Sequence, residues 1–140
     1  MPHDQVTLRQ LAEGRLSEAR ALHAAGQPSG CYYLLGYAVE CALKAKIAGR
    51  FRENEIPDKA FVNSIYTHDL AALLRLAGLE AQLEDAIEAD AELGRSWAVV
   101  KKWSEQARYV IWTADDASGM LDAVAGTDET EGLFRWLINH

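Results

Sequence analysis

The run from Cys31 to Ala48, Cys-Tyr-Tyr-Leu-Leu-Gly-Tyr-Ala-Val-Glu-Cys-Ala-Leu-Lys-Ala-Lys-Ile-Ala, constrains this chain more than any other segment. It is apolar on nearly every face, the pattern of a helix buried in the middle of a helical bundle. The flanking Gly30 and Gly49 set its expected limits. Two stripes divide its surface. Ala38, Cys41, Ala45 and Ala48 carry small side chains that let a neighbouring helix come close. Tyr33, Tyr37, Glu40 and Lys44 follow at spacings of four, three and four, each with an apolar body and a polar tip. Gly36 inside such a helix costs about 1 kcal/mol relative to alanine, and close backbone approach is its expected return.

The segments on either side also read as helices. Leu8, Leu11, Leu16, Ala19 and Leu22 give a helical spacing over Thr7–Ala25, closed by Gly26-Gln27-Pro28-Ser29. So short a break predicts an antiparallel return. Residues 50–66 look irregular, with a polar Arg52-Glu53-Asn54-Glu55 run, Pro57 and a short helix near Lys59 to Ile65. A third main helix is expected over His68–Ala77, ended by Gly78, and a fourth, acidic one over Glu80–Leu93, broken at Gly94. Ser96 is expected to cap a fifth, with Trp97, Val100, Trp103, Ala107 and Val110 facing inward. Asp115, Asp116, Ser118 and Gly119 suggest a loop. Beyond it, Met120–Ala125 and Glu129–Asn139 form one helix interrupted at Gly126, or two. No linker divides the 140 residues, so one domain is expected: an all-α, up-and-down bundle of four to five helices around a buried second helix.

Composition narrows the function. No apolar stretch reaches the 18 or so residues of a membrane span, and Met1 to Arg9 lacks the pattern of a secretory signal. Cys31 and Cys41 lie ten residues apart, about 15 Å along a helix, so no disulfide joins them and a reducing cytoplasm is expected. The net charge of −7 argues against a general nucleic-acid coat. The charge is uneven, however. Residues 1–52 hold seven Lys/Arg against four Asp/Glu, a balance of +3, whereas residues 53–140 hold seven against seventeen, a balance of −10. One face of the first two helices is therefore able to attract an anion.

The histidines, His3, His23, His68 and His140, form no His-x-x-x-His pair, and Cys-x-x-Cys is absent, so neither metal nor cofactor is expected. Glu40 and Lys44 stand at i and i+4 in the better orientation for an ion pair. Two readings follow: a structural pair tying helices together, or the polar floor of a pocket with Lys44 facing an anionic ligand. His68 opens a helix, where a neutral imidazole suits a general base, or it simply packs there. Arg108 either pairs with Glu105 at the surface or points inward to Glu40 or a phosphate, with Tyr109 beside it.

The string from Tyr32 to Ala45, with Gly36-Tyr37-Ala38-Val39-Glu40 and Leu43-Lys44-Ala45 at its heart, resembles the second helix of the HEPN superfamily. The resemblance extends to His68-Asp69-Leu70 and to Trp103 through Arg108-Tyr109. It implies a prokaryotic helical bundle, often a homodimer, working in nucleotide or RNA metabolism. Defence or toxin–antitoxin systems with a nucleotidyltransferase-like partner are the common setting. Active members resemble metal-independent ribonucleases with an arginine followed, after four to six residues, by a histidine. Here Thr113 and Ala114 stand where that histidine would follow Arg108, and the nominal match is Arg135 to His140. The resemblance thus implies a non-catalytic module binding a nucleotide, RNA or protein partner around Tyr33, Tyr37, Glu40, Lys44, His68, Arg108 and Tyr109. The alternatives are a ribonuclease using Arg135 and His140, or His68 and Arg108, and a purely structural dimeric subunit.

Overall fold

The computed structural model describes residues 4–51 and 53–140; His3 and Arg52 lie outside the described residues. Every regular element among them is helical. Asp4 caps α1 (Gln5–Ala24), its carboxylate accepting from the Thr7 amide at 2.7 Å. Gly26 turns the chain at φ 71°, and Pro28 opens α2 (Pro28–Ala48) at a position where a missing amide proton costs nothing. Gly30 then lies beside Leu22 and Gly49 beside Gln5, so α2 returns antiparallel along α1. These two helices share the most extensive interface in the molecule.

Helix α2 is the hub, in contact with α1, α4 (Leu70–Leu76), the 3-10 helix (Glu105–Tyr109), α7 (Ala114–Ala125) and α8 (Leu133–Asn139). Cys31, Leu35, Ala38, Val39, Ala42, Leu43 and Ile47 are essentially inaccessible, and one continuous apolar cluster joins them to Leu70, Leu73, Met120, Leu133 and Leu137. Cys31 and Cys41 are free and buried on the same helix. Among the described residues no helix is long and apolar enough to cross a membrane.

Gly36 explains how the hub is built. A Cβ there would stand 2.2 Å from the Trp103 ring, so the missing side chain is the space the indole occupies. Trp103 is 3% exposed. The close approach expected at Gly36 is made by a side chain rather than by a second backbone.

The helical class is as expected, but the division of the chain is finer: the described residues form eight α-helices and one 3-10 helix. Four corrections have physical causes. The third main helix begins at Leu70, not His68, because Asp69 leaves helical geometry and accepts from the Ala71 and Ala72 amides at 3.0 and 3.2 Å. The acidic segment breaks at Asp90 rather than Gly94. Asp90 is extended (φ −141°, ψ 99°) and caps α6 (Ala91–Val100), separating it from α5 (Glu80–Ala89). Gly94 lies inside α6, where a Cβ would come within 2.9 Å of Ile87, and so serves the packing of α5 on α6.

Ser96 is likewise interior and caps nothing. The helix ends at Val100, a turn carries Trp103 inward, and Ser104 caps the 3-10 helix; Val110 follows extended and exposed instead of facing the core. Asp115, Asp116, Ser118 and Gly119 belong to α7 rather than a loop. Thr113 and Asp116 form a reciprocal capping box, and hydrogen bonds from Thr113 hold the Asp116 carboxyl below its usual range.

Gly126 (φ 80°) ends α7, and the chain doubles back through a single antiparallel bridge to Glu131 before α8. Here two backbones touch. A Cβ on Gly126 would meet the Gly132 nitrogen and the Thr130 carbonyl at 2.5 Å, and one on Gly132 would meet the Gly126 nitrogen at 2.3 Å. The short helix α3 (Lys59–Ser64), capped by Asp58, matches its expected place.

Gly36→Ala tests the indole slot. In an open helix the substitution stabilises by about 1 kcal/mol; overpacking against Trp103 should instead destabilise by about 1–3 kcal/mol in denaturant unfolding.

Candidate functional site

Glu40 is 3% exposed, the one charged residue buried in the core among the described residues. A carboxylate in that position must be answered by donors, because desolvation alone costs several kcal/mol. Lys44, one turn along α2, places Nζ 3.3 Å from Oε2. His68 places Nδ1 2.7 Å from Oε1 and donates to it. It reaches α2 because Asp69 begins the helix after it, leaving His68 in the connection rather than in the helical first turn.

The other ring nitrogen is also engaged. His68 Nε2 lies 3.2 Å from Oε2 of Glu105, at the start of the 3-10 helix. Of the two contacts, the one to Glu40 has hydrogen-bond geometry and the one to Glu105 is a close approach of ring nitrogen and carboxylate. Each ring nitrogen of His68, read from the sequence either as a general base or as a packing residue, faces a carboxylate. Lys44, Glu40, His68 and Glu105 form a line of polar contacts that ties α2 to the connection before α4 and to the 3-10 helix.

Tyr33 and Tyr37 continue the stripe. Their ring centroids are 6.1 Å apart, and Tyr33 lies 5.8 Å from Trp103. Burial, followed by the charges of Cys41 and Glu40, raises the Tyr37 phenol. On the neighbouring face, burial pushes the Cys41 thiol up to about 11, with Glu40 adding to the shift. These are environments that suppress ionisation and nucleophilic chemistry.

Lys44 also edges a recess of about 270 Å³ between α1, α2 and the segment around α3, walled by Leu8, Ile47, Phe51, Val62 and Tyr66 among others. The recess is mostly apolar, and Tyr66 is 71% exposed at its rim. Its size lies just below the roughly 300–1,000 Å³ of drug-sized ligand sites, which suits one planar ring system better than an extended ligand.

The structure brings Tyr33, Tyr37, Glu40, Lys44 and His68 together. Arg108 and Tyr109 are exposed, the guanidinium 5.3 Å from the neighbouring tyrosine ring, and Glu105 faces His68 instead of pairing with Arg108. Arg135 and His140 line separate clefts: Arg135 stands with Glu13, Arg20 and Glu131, and His140 with Lys46 and Arg50. No family model, curated protein or solved structure matches this chain.

Sequence reasoning missed Glu105 as a partner of His68 and missed the aromatic edge of the recess. Phe51 and Tyr66 bracket the segment that reads as irregular, so no periodicity marks them. Among the described residues no trio of His, Cys, Asp and Glu side chains is placed to hold a metal.

Two outcomes check this geometry. His68→Ala should destabilise by about 1–3 kcal/mol, since it strips a donor from a buried carboxylate, whereas Glu105→Gln should cost under about 1 kcal/mol; denaturant unfolding of both and of the double variant gives their coupling. A chromogenic disulfide reagent at pH 8 should react with neither cysteine in the native protein and with both in denaturant, because both thiols are buried and burial raises both, that of Cys41 to about 11, where roughly one part in a thousand is thiolate.

Proposed function

We propose that this chain is a HEPN-like ligand-binding module that takes a nucleotide-class ligand in the Lys44 recess and performs no chemistry on it. The observation that carries the reading is the double position of Lys44. Its ammonium leans on the buried Glu40 carboxylate and simultaneously edges an apolar recess with Phe51 and Tyr66 in its wall. A cation beside an aromatic-walled slot is complementary to a ring system carrying a phosphate: the ring stacks and the phosphate meets the ammonium. Glu40 holds Lys44 in place without neutralising all three of its donors.

In this reading the helices make an up-and-down bundle of four to five principal members, with α1 and α2 as its first pair. The protein works in the cytoplasm as a homodimer in a defence or toxin–antitoxin setting, beside a nucleotidyltransferase-like partner. Binding is favoured over ribonuclease action because Arg135 and His140 stand in different clefts and both nitrogens of His68 face carboxylates.

Thermal-shift measurement against mononucleotides and short RNA tests the proposal. A ligand at 100 times its dissociation constant adds about 2.7 kcal/mol. For a domain of this size that raises Tm by roughly 5–10 °C. Lys44→Met should abolish the shift and Arg108→Gln should leave it. Absence of any shift across the panel, or a shift indifferent to Lys44, overturns the reading.

A further inference from the structure

Lys44 and Lys46 lie two positions apart on α2, about 200° around its axis. Lys46 therefore belongs to a different surface, and the residues around it have no part in the Lys44 recess. They line a cleft of about 420 Å³ where the C-terminal end of α2, the turn between α4 and α5, and the end of α8 meet. Three basic side chains, Lys46, Arg50 and His140, face it together with the amides of Gln5 and Gln82, and no Asp or Glu side chain is among its lining residues. In a chain of net charge −7 that is a local inversion of sign.

The cleft's basic groups are fixed rather than loose. Lys46 Nζ donates to the Ile138 carbonyl at 3.2 Å, and Arg50 Nη1 to the Leu76 carbonyl at 2.6 Å. His140 donates through Nδ1 to the Trp136 carbonyl at 2.8 Å and stacks on the Trp136 ring at 4.5 Å. Each contact uses one donor. Lys46 keeps two protons and Arg50 the rest of its guanidinium, while His140 keeps Nε2, which donates to an anion only in the imidazolium form. Burial, and then the charge of Arg9, lowers the affinity of Lys46 for its proton.

We propose that this cleft is a binding site for a phosphate group, free or as a phosphomonoester, held by Lys46, Arg50 and His140. Arg50 offers the planar fork that matches two phosphate oxygens, and Lys46 a point charge behind it. The site is separate from the Lys44 recess and stands whether or not a nucleotide binds there.

Amide chemical-shift mapping of the wild-type protein with inorganic phosphate, and then with a small phosphomonoester, tests the site; chloride at matched ionic strength is the control. Saturable shifts are expected at Gln5, Gly49, Gly78, Gln82 and His140, and none at Tyr66 or Val62. The double variant Lys46→Gln/Arg50→Gln should weaken phosphate binding about tenfold or more, while Arg135→Gln leaves it unchanged. Since both substituted residues also hold carbonyls, Lys46→Arg serves as the charge-preserving variant and should retain binding. Shifts that do not saturate, that chloride reproduces, or that survive in a folded double variant overturn the proposal. Tighter binding of the phosphomonoester than of phosphate would identify an organic ligand, and equal binding the free anion.

Discussion

A carboxylate inside the central helix sets the terms for everything around it. Glu40 is carried into the core by the apolar residues on either side, and it then requires partners that a helix cannot supply alone. Lys44 answers one oxygen from within α2. The other is answered by His68, which brings the connection ahead of α4 into place. His68 in turn reaches Glu105 and with it the 3-10 helix that follows Trp103. Three segments with no sequence proximity are thus held by one buried charge. Removing it by a shape-matched apolar residue would leave the packing intact while freeing both His68 and Lys44 to take other partners.

The buried helix and its two stripes were legible in the sequence because burial and the 3.6-residue period both act within one segment. Gly36 was legible as a close approach, but not as a slot for Trp103, since the indole arrives from 67 positions away. The breaks after Gly78 were misread for a related reason. Gly94 looks like a helix end when only local propensity is considered, yet packing against Ile87 makes it an interior residue, and the true break rests on the cap supplied by Asp90. Site residues followed the same rule. Glu40 and Lys44 could be paired from their spacing, whereas the His68–Glu105 contact joins a connection to the 3-10 helix, segments whose proximity exists only once the core has formed.

Helix α2 also sorts the molecule's electrostatics. On its polar stripe Glu40 is met by Lys44 and His68 while the Tyr33 and Tyr37 rings lie side by side, and the thiol of Cys41 on the next face is held protonated by burial. At the far end of the same helix, Lys46 and Arg50 satisfy the carbonyls of other helix ends and face a cleft without carboxylate side chains in its lining. The positive balance of the first 52 residues is therefore concentrated, in part, where α2 ends rather than spread along its length.

The meeting of Gly126 and Gly132 leaves no room for even a methyl group on either residue. This clasp is made of main chain alone, so no side-chain repacking elsewhere can relieve an alteration there. The seven residues of α8, with Leu133, Phe134, Trp136 and Leu137 all buried, hang from it. Lengthening that turn by a single residue would rotate the apolar side of α8 away from α2 and α7. It is a corner of the fold with no room for a side chain on its glycines, in contrast to the solvent-facing position of Ile56.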